Sequence, residues 1–142
     1  IHEAAQTAQA MEFIEGKPKG FQTEIAQGGT NVSGGQRQRL SIARALVKKP
    51  EIFIFDDTFS ALDFKTDASL RKALSELCAQ TKCTVLLVAQ RISSIMHADR
   101  IVVLDQGSIV GIGTHEELMD SCDVYREIAY SQLSKEELGH EQ

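Results

Sequence analysis

Three short stretches have residue types and spacing suited to phosphate chemistry. Ser33-Gly34-Gly35-Gln36 stands where a helical pattern begins. A helix N-terminus offers amides without intrahelical partners and the positive end of the dipole, and paired glycines let an anion approach the backbone closely. The same tetrapeptide also reads as a plain N-cap serine with flexible glycines. The apolar run Ile52-Phe53-Ile54-Phe55 ends in Asp56-Asp57. Carboxylates at the C-terminal edge of a parallel strand lie where ligands bind in open α/β sheets, and an aspartate there can hold Mg²⁺ directly or through water. Solvated loop acids are the plainer reading of that pair. In Ser60-Ala61-Leu62-Asp63, either Ser60 or Asp63 has the chemistry to cap the helix that follows, and capping alone would account for it.

The elements that must position these groups are legible from periodicity. Glu3 to Phe13 predicts a helix without a clear cap, beginning abruptly as if the start of the domain had been cut away. Gly16, Pro18 and Gly20 then make a loop, and Gly28 to Gly35 is a second glycine-rich stretch. Leu40, Ala43, Leu46 and Val47 recur at helical spacing, with Arg37, Arg44 and Lys48 on another face and Pro50 as the stop. Lys48 and Lys49 suit the negative end of that helix. Ile52 to Phe55 reads as a buried strand, Asp63 to Gln80 as an amphipathic helix with Leu70, Ala73, Leu74 and Leu77 inward, and Thr84 to Ala89 as a second buried strand. Arg100 to Leu104 is a third, and Gly107 turns it into a hairpin partner at Ser108 to Ile112. Short helices near His115 to Met119 and Val124 to Leu133 follow, with a polar, frayed tail from Ser134 to Gln142. Alternating strands and helices with apolar runs predict an α/β fold with parallel strands.

Composition narrows the class. The chain has 142 residues, 42% of them hydrophobic and only 2 prolines, so it suits one folded domain rather than a disordered or collagen-like chain. Its net charge of −5 supplies no global basic field toward nucleic acid or anionic membranes. No apolar run approaches the ~20 residues of a membrane span, and Ile1 to Ala10 lacks the basic start of a signal peptide. The expectation is a soluble, intracellular domain. Cys78, Cys83 and Cys122 are an odd number and form no metal-ligand pattern, and the scattered histidines His2, His97, His115 and His140 make no i, i+4 pair.

Taken in order, Asn31-Val32-Ser33-Gly34-Gly35-Gln36-Arg37-Gln38-Arg39, the strand with Asp56-Asp57, and Ser60-Ala61-Leu62-Asp63 resemble the ATP-binding cassette (ABC) ATPases. Gly20-Phe21-Gln22-Thr23-Glu24, Ala98 to Gly107 and Gly113 to Leu118 are similar to exporter-type nucleotide-binding domains, so the likeness covers nearly the whole chain. The resemblance implies a P-loop NTPase (RecA-like) fold in incomplete form. Residues 1–48 would belong to the helical subdomain and 49–142 to the C-terminal part of the catalytic core. It implies ATP and Mg²⁺ as cofactors, with two domains sandwiching two ATPs head to tail. Ser33, Gly34, Gly35 and Gln36, the signature, would contact ATP bound on the opposite subunit, and Asp63 would lie in the loop crossing that interface. Asp56 matches the Mg²⁺-organising aspartate of the Walker B strand. Thr23 to Gly29 matches the loop that touches the transmembrane domain's coupling helices, so the expected location is the cytoplasmic face of a membrane. The parent would be an ATP hydrolase coupled to transport.

The departures from the family pattern are informative. No Gly-x-x-x-x-Gly-Lys-Ser/Thr occurs in the 142 residues. The catalytic glutamate expected after Asp56 is Asp57, one methylene shorter, and a misplacement of ~1 Å can cost on the order of 10²-fold in rate. The switch histidine expected in the Val-Ala-x-Arg stretch is Gln90, which can donate an N–H but takes no proton. Both changes fall on the chain's own site while the signature is intact. The resulting expectation is the degenerate-site half of a heterodimeric exporter.

Three other classes compete with this reading. The basic run Arg37, Arg39, Arg44, Lys48 and Lys49 suits nucleic-acid phosphates, but the negative net charge and 6% aromatics argue against it. A non-transport ABC ATPase, or a non-enzymatic dimerisation module, would share these motifs. Elsewhere the residues read as structural: Phe53 and Phe55 as sheet core, Tyr125 and Tyr130 as packing for the terminal helices, and Glu116 and Glu117 as a first helical turn beneath a Thr114 cap.

Overall fold

The computed structural model describes the backbone of residues 1–139 and the side chains of residues 1–132. The chain divides into two units, Ile1–Val88 and Ala89–Gln142.

The first unit opens with two short helices, α1 (His2–Thr7) and α2 (Met11–Glu15), where the sequence predicted one. The break falls at Gln9, whose backbone is left-handed at φ 56°. There the Gln9 amide bonds back to the Gln6 carbonyl and the Ala10 amide to the Ala5 carbonyl, closing α1. Two single-turn 3₁₀ segments, Gly20–Gln22 and Gln27–Gly29, shape what reads in sequence as loop. Helix α3 (Gly34–Val47) starts where predicted and buries Ile42 and Leu46, while Val47, expected inside, is 48% exposed. Strand β1 (Ile52–Asp56), helix α4 (Phe64–Thr81) and strand β2 (Thr84–Val88) form a strand–helix–strand crossover, with β1 and β2 parallel and Ile54 opposite Leu86.

Neither strand is buried through its length, and this corrects the expectation drawn from their apolar runs. Phe53 and Phe55 face the core at 4% and 3% exposure, whereas Ile52 and Ile54 are 61% and 69% exposed, as is most of β2. The physical reason is one-sided cover: the core of α1, α3 and α4 side chains lies against one face of the strand pair. Phe53 and Phe55 stack at 5.8 Å between ring centroids, and Phe55 meets Phe59 edge-on at 5.6 Å. Asp67, on the inward face of α4, is 1% exposed and answers Arg71 one turn later through two hydrogen bonds of 3.2 and 3.1 Å.

The second unit contains a short helix the sequence did not predict, α5 (Ile92–Ile95), followed by β3 (Ile101–Asp105), β4 (Ser108–Gly113), α6 (His115–Ser121) and α7 (Asp123–Gly139). Strands β3 and β4 form the expected antiparallel hairpin, its two-residue turn set by left-handed Gln106 and Gly107. Here too the expected buried strand is half exposed: Ile101 and Val103 face the core while Val102 and Leu104 are 51% and 66% exposed. Thr114 caps α6 in a reciprocal box with Glu117. The core gathers Ile92, Leu118, Cys122, Tyr125 and Ala129. Tyr130, expected to pack, is instead 59% exposed. The tail expected to fray is helical through Gly139, and its last three residues lie outside the described residues.

Candidate functional site

The first constellation is built by the start of α3. Ser33 is its N-cap in extended conformation, and its Oγ accepts the Gln36 amide at 3.2 Å while the Gln36 Oε1 accepts the Ser33 amide at 3.2 Å. This capping box fixes both side chains of the motif. With its lone pair engaged by Gln36, the Ser33 hydroxyl keeps its O–H to donate. Gly34 and Gly35 occupy the first helical positions, whose amides have no intrahelical partner by geometry.

The third constellation lies against the first, and the second is tied to the third through Ser60. A Cβ on Gly35 would stand 3.0 Å from the Ala61 carbonyl oxygen, and one on Gly34 would stand 3.8 Å from the Ala61 Cβ. The Ser60-Ala61-Leu62-Asp63 segment therefore runs directly against the glycines. A side chain of the same stretch, to which the sequence assigns no role, joins the two: the Gln38 amide donates to Ser60 Oγ at 3.2 Å and accepts the Ala61 amide at 3.0 Å. A glutamine inside a helical pattern carries no sequence signal beyond a polar face, so its role appears only in three dimensions. Ser60 in turn donates to the Asp57 carbonyl at 3.0 Å, and Thr58 to the Asp56 carbonyl at 3.2 Å.

Asp56 ends β1 with an exposed side chain, at the carboxyl edge the sequence predicted. Asp57 follows with a left-handed backbone at φ 49°, a conformation that aspartate tolerates better than most residues. Its amide donates to the Val88 carbonyl at 3.0 Å, so the turn is pinned to the end of β2. Asp63 is the N-cap of α4, accepting the Thr66 amide at 2.9 Å and the Thr66 hydroxyl at 2.7 Å. Those two bonds hold its exposed carboxyl below the usual aspartate range. Of the two candidate caps, Asp63 takes the role and Ser60 bonds to the preceding turn.

Two further side chains were not singled out by sequence. Asn31 staples the preceding loop, accepting the Ala26 amide at 3.0 Å and donating to the Glu24 carbonyl at 2.9 Å. Thr23 to Gly29 is thus held in shape from within the unit. In the second unit, Gln90 is exposed, and its backbone is gripped by Gln132 of α7. Gln132 donates to the Gln90 carbonyl and accepts the Ile92 amide, both at 2.7 Å. Asp56, Asp57 and the signature residues lie in the first unit and Gln90 in the second. Among the described residues no helix is long and apolar enough to cross a membrane.

The chain is similar to proteins of one family. The ABC transporter family model matches residues 2–60. An uncharacterized ABC transporter ATP-binding protein of Mycobacterium tuberculosis is 47% identical over 137 residues, covering 96% of this chain and 23% of the relative. An ATP-dependent lipid A-core flippase of Vibrio cholerae is 44% identical over 139 residues, covering 98% of this chain and 23% of that protein. Among solved structures, a bacterial Atm1-family ABC exporter with ATP bound superposes with a TM-score of 0.86 at 37% identity, over 92% of this chain and 23% of the exporter. The chain therefore spans about a quarter of the length of the relatives it matches.

Proposed function

The chain belongs to the ABC transporter ATP-binding family, and on that premise we propose that it is the C-terminal part of an exporter's ATP-binding subunit, acting on ATP held by a partner. The observation that carries the proposal is the joint between the start of α3 and the Ser60 to Asp63 segment. Ser33, Gly34 and Gly35 present a hydroxyl and two helix-end amides beside a segment locked to them by Gln38. That is a cradle for the terminal phosphate of a nucleotide, and the absence of side chains on both glycines permits close approach.

The residues fit the implied cofactors. Asp56, an exposed carboxylate at the end of a parallel strand, suits Mg²⁺, which needs one or two protein carboxylates and takes its other ligands from water and phosphates. When bound, that ion would neutralise charge between the phosphates. Asp57 and Gln90 occupy the positions of the water-polarising acid and the switch residue. A shorter acid and a side chain that accepts no proton make the subunit's own site a slow one. Residues 1–48 serve as the helical-subdomain part and 49–142 as the catalytic-core part. The partners in this reading are a second nucleotide-binding domain, in a heterodimer, and the transmembrane coupling helices, met by Thr23 to Gly29 at the cytoplasmic face of the membrane. Nucleic acid has no part in it.

The test is restoration in the full-length heterodimer. Asp57→Glu with Gln90→His should raise ATP hydrolysis at this subunit's own site, by about tenfold or more if positioning is the deficit. Unchanged turnover at that site would overturn the degenerate-site reading.

A further inference from the structure

Cys78, in the last turn of α4, and Cys83, one residue before β2, bring their sulfurs to 2.7 Å from each other. Neither residue belongs to the phosphate-binding constellation, and both are free thiols. The approach is produced by a defined cap. Lys82 adopts the left-handed conformation at φ 57°, and its amide returns to the Cys78 carbonyl at 2.7 Å. Such a cap folds the next residue back over the helix's last turn. Both backbones are anchored on either side: Thr81 donates to the Leu77 carbonyl at 2.8 Å, and the Thr84 amide donates to the Glu51 carbonyl at 2.9 Å. Both cysteines are half-buried, and Cys83 packs against the core of the first unit.

We infer that Cys78 and Cys83 form a reversible dithiol–disulfide site, oxidised by small-molecule disulfides and joining the end of α4 to the start of β2. A sulfur–sulfur bond is about 2.05 Å long, so closure needs a small side-chain rotation and no rebuilding of the cap. Burial, and then the neighbouring Cys83 sulfur, pushes the Cys78 thiol up to about 12; the exchange can open at either sulfur and balances in the same way, as follows for Cys83. The Cys83 thiolate attacks one sulfur of the small disulfide and expels one thiolate, leaving a mixed disulfide. The Cys78 sulfur then attacks Cys83, its proton passing to the second departing thiolate. In total the protein loses two hydrogens, and the oxidant is reduced to two thiols. Cys122 takes no part: it is buried in the second unit among the residues of β4 and α6.

The experiment equilibrates the whole chain with reduced and oxidised glutathione, quenches it in acid, alkylates it in urea and maps the peptides by mass spectrometry. A Cys78–Cys83 cross-link is expected, two hydrogens lighter than the reduced pair, with Cys122 alkylated. The equilibrium constant for cross-linking should exceed that of the same chain in urea by at least about tenfold, because the fold holds the sulfurs together. Cys78→Ser should abolish the cross-link and Cys122→Ser should leave it in place. Stable glutathione adducts without a cross-link, a bond to Cys122, or equal constants for the folded and unfolded chain would each overturn the inference. The unmodified chain carries the decisive comparison, so it does not depend on the folding of a variant.

Discussion

At the scale of single residues, the site depends on a few atoms placed by capping and close approach. Asp63 is the clearest case. Its carboxylate is held ionised by the Thr66 amide and hydroxyl, so its folded pKa lies below the unfolded value. The stability it contributes is present above the unfolded aspartate pKa and is lost as pH falls through the lower, folded one. Carboxyl-carbon NMR should give Asp63 a midpoint below that of the denatured chain, and Asp63→Asn should remove this pH dependence while keeping a capped helix. A midpoint equal to the denatured value would contradict the assignment. Gly35 makes a steric counterpart. An alanine there would gain little helix propensity at the first turn but would drive its Cβ toward an Ala61 carbonyl that Gln38 anchors through the adjacent amide. Gly35→Ala should cost about 1 kcal/mol in urea unfolding.

At the scale of elements, α4 is fixed by a charge inside its packed face. Asp67 is 1% exposed and paired to Arg71, whose side chain is 26% exposed. Asp67→Asn removes the charge that answers Arg71 from inside the packed face and should cost about 2 kcal/mol, below the full penalty of a dry pair because Arg71 reaches water. Asp67→Leu with Arg71→Met should recover most of that loss; thermal unfolding of the three proteins separates the cases. This pair was illegible in the sequence, where an aspartate early in a helix reads as a favourable first-turn charge. The elements themselves were largely legible. Ser33, Pro50 and the 3.6-residue spacing placed α3, and the run ending at Asp56 placed β1. Apolar content, however, says how much a strand wants burial and not how many faces are covered, which is why Ile52, Ile54 and Leu86 were misjudged. The break at Gln9 escaped because small apolar residues fit a helix on either side of it. At the site, residue types exposed the motifs, whereas the partners of Gln38 and Gln132 lie far away in sequence and left no local pattern.

At the scale of the molecule, the proposed function is a division of labour, in which the signature would serve a partner's ATP and the chain's own site would be weakened at Asp57 and Gln90. Ile54 and Leu104 stand in the open on their strands, and the chain spans about a quarter of the length of each relative it matches. The most direct measurement is site-resolved ATP hydrolysis in the full assembly carrying Ser33→Asp. Aspartate caps a helix as well as serine does, so α3 is retained, but its charge faces the phosphate that the serine hydroxyl would meet. The account predicts at least about a tenfold loss of hydrolysis at the partner-held ATP, with nucleotide occupancy of this subunit's own site unchanged. Full turnover at the partner's site, or a loss confined to the subunit's own, would contradict it.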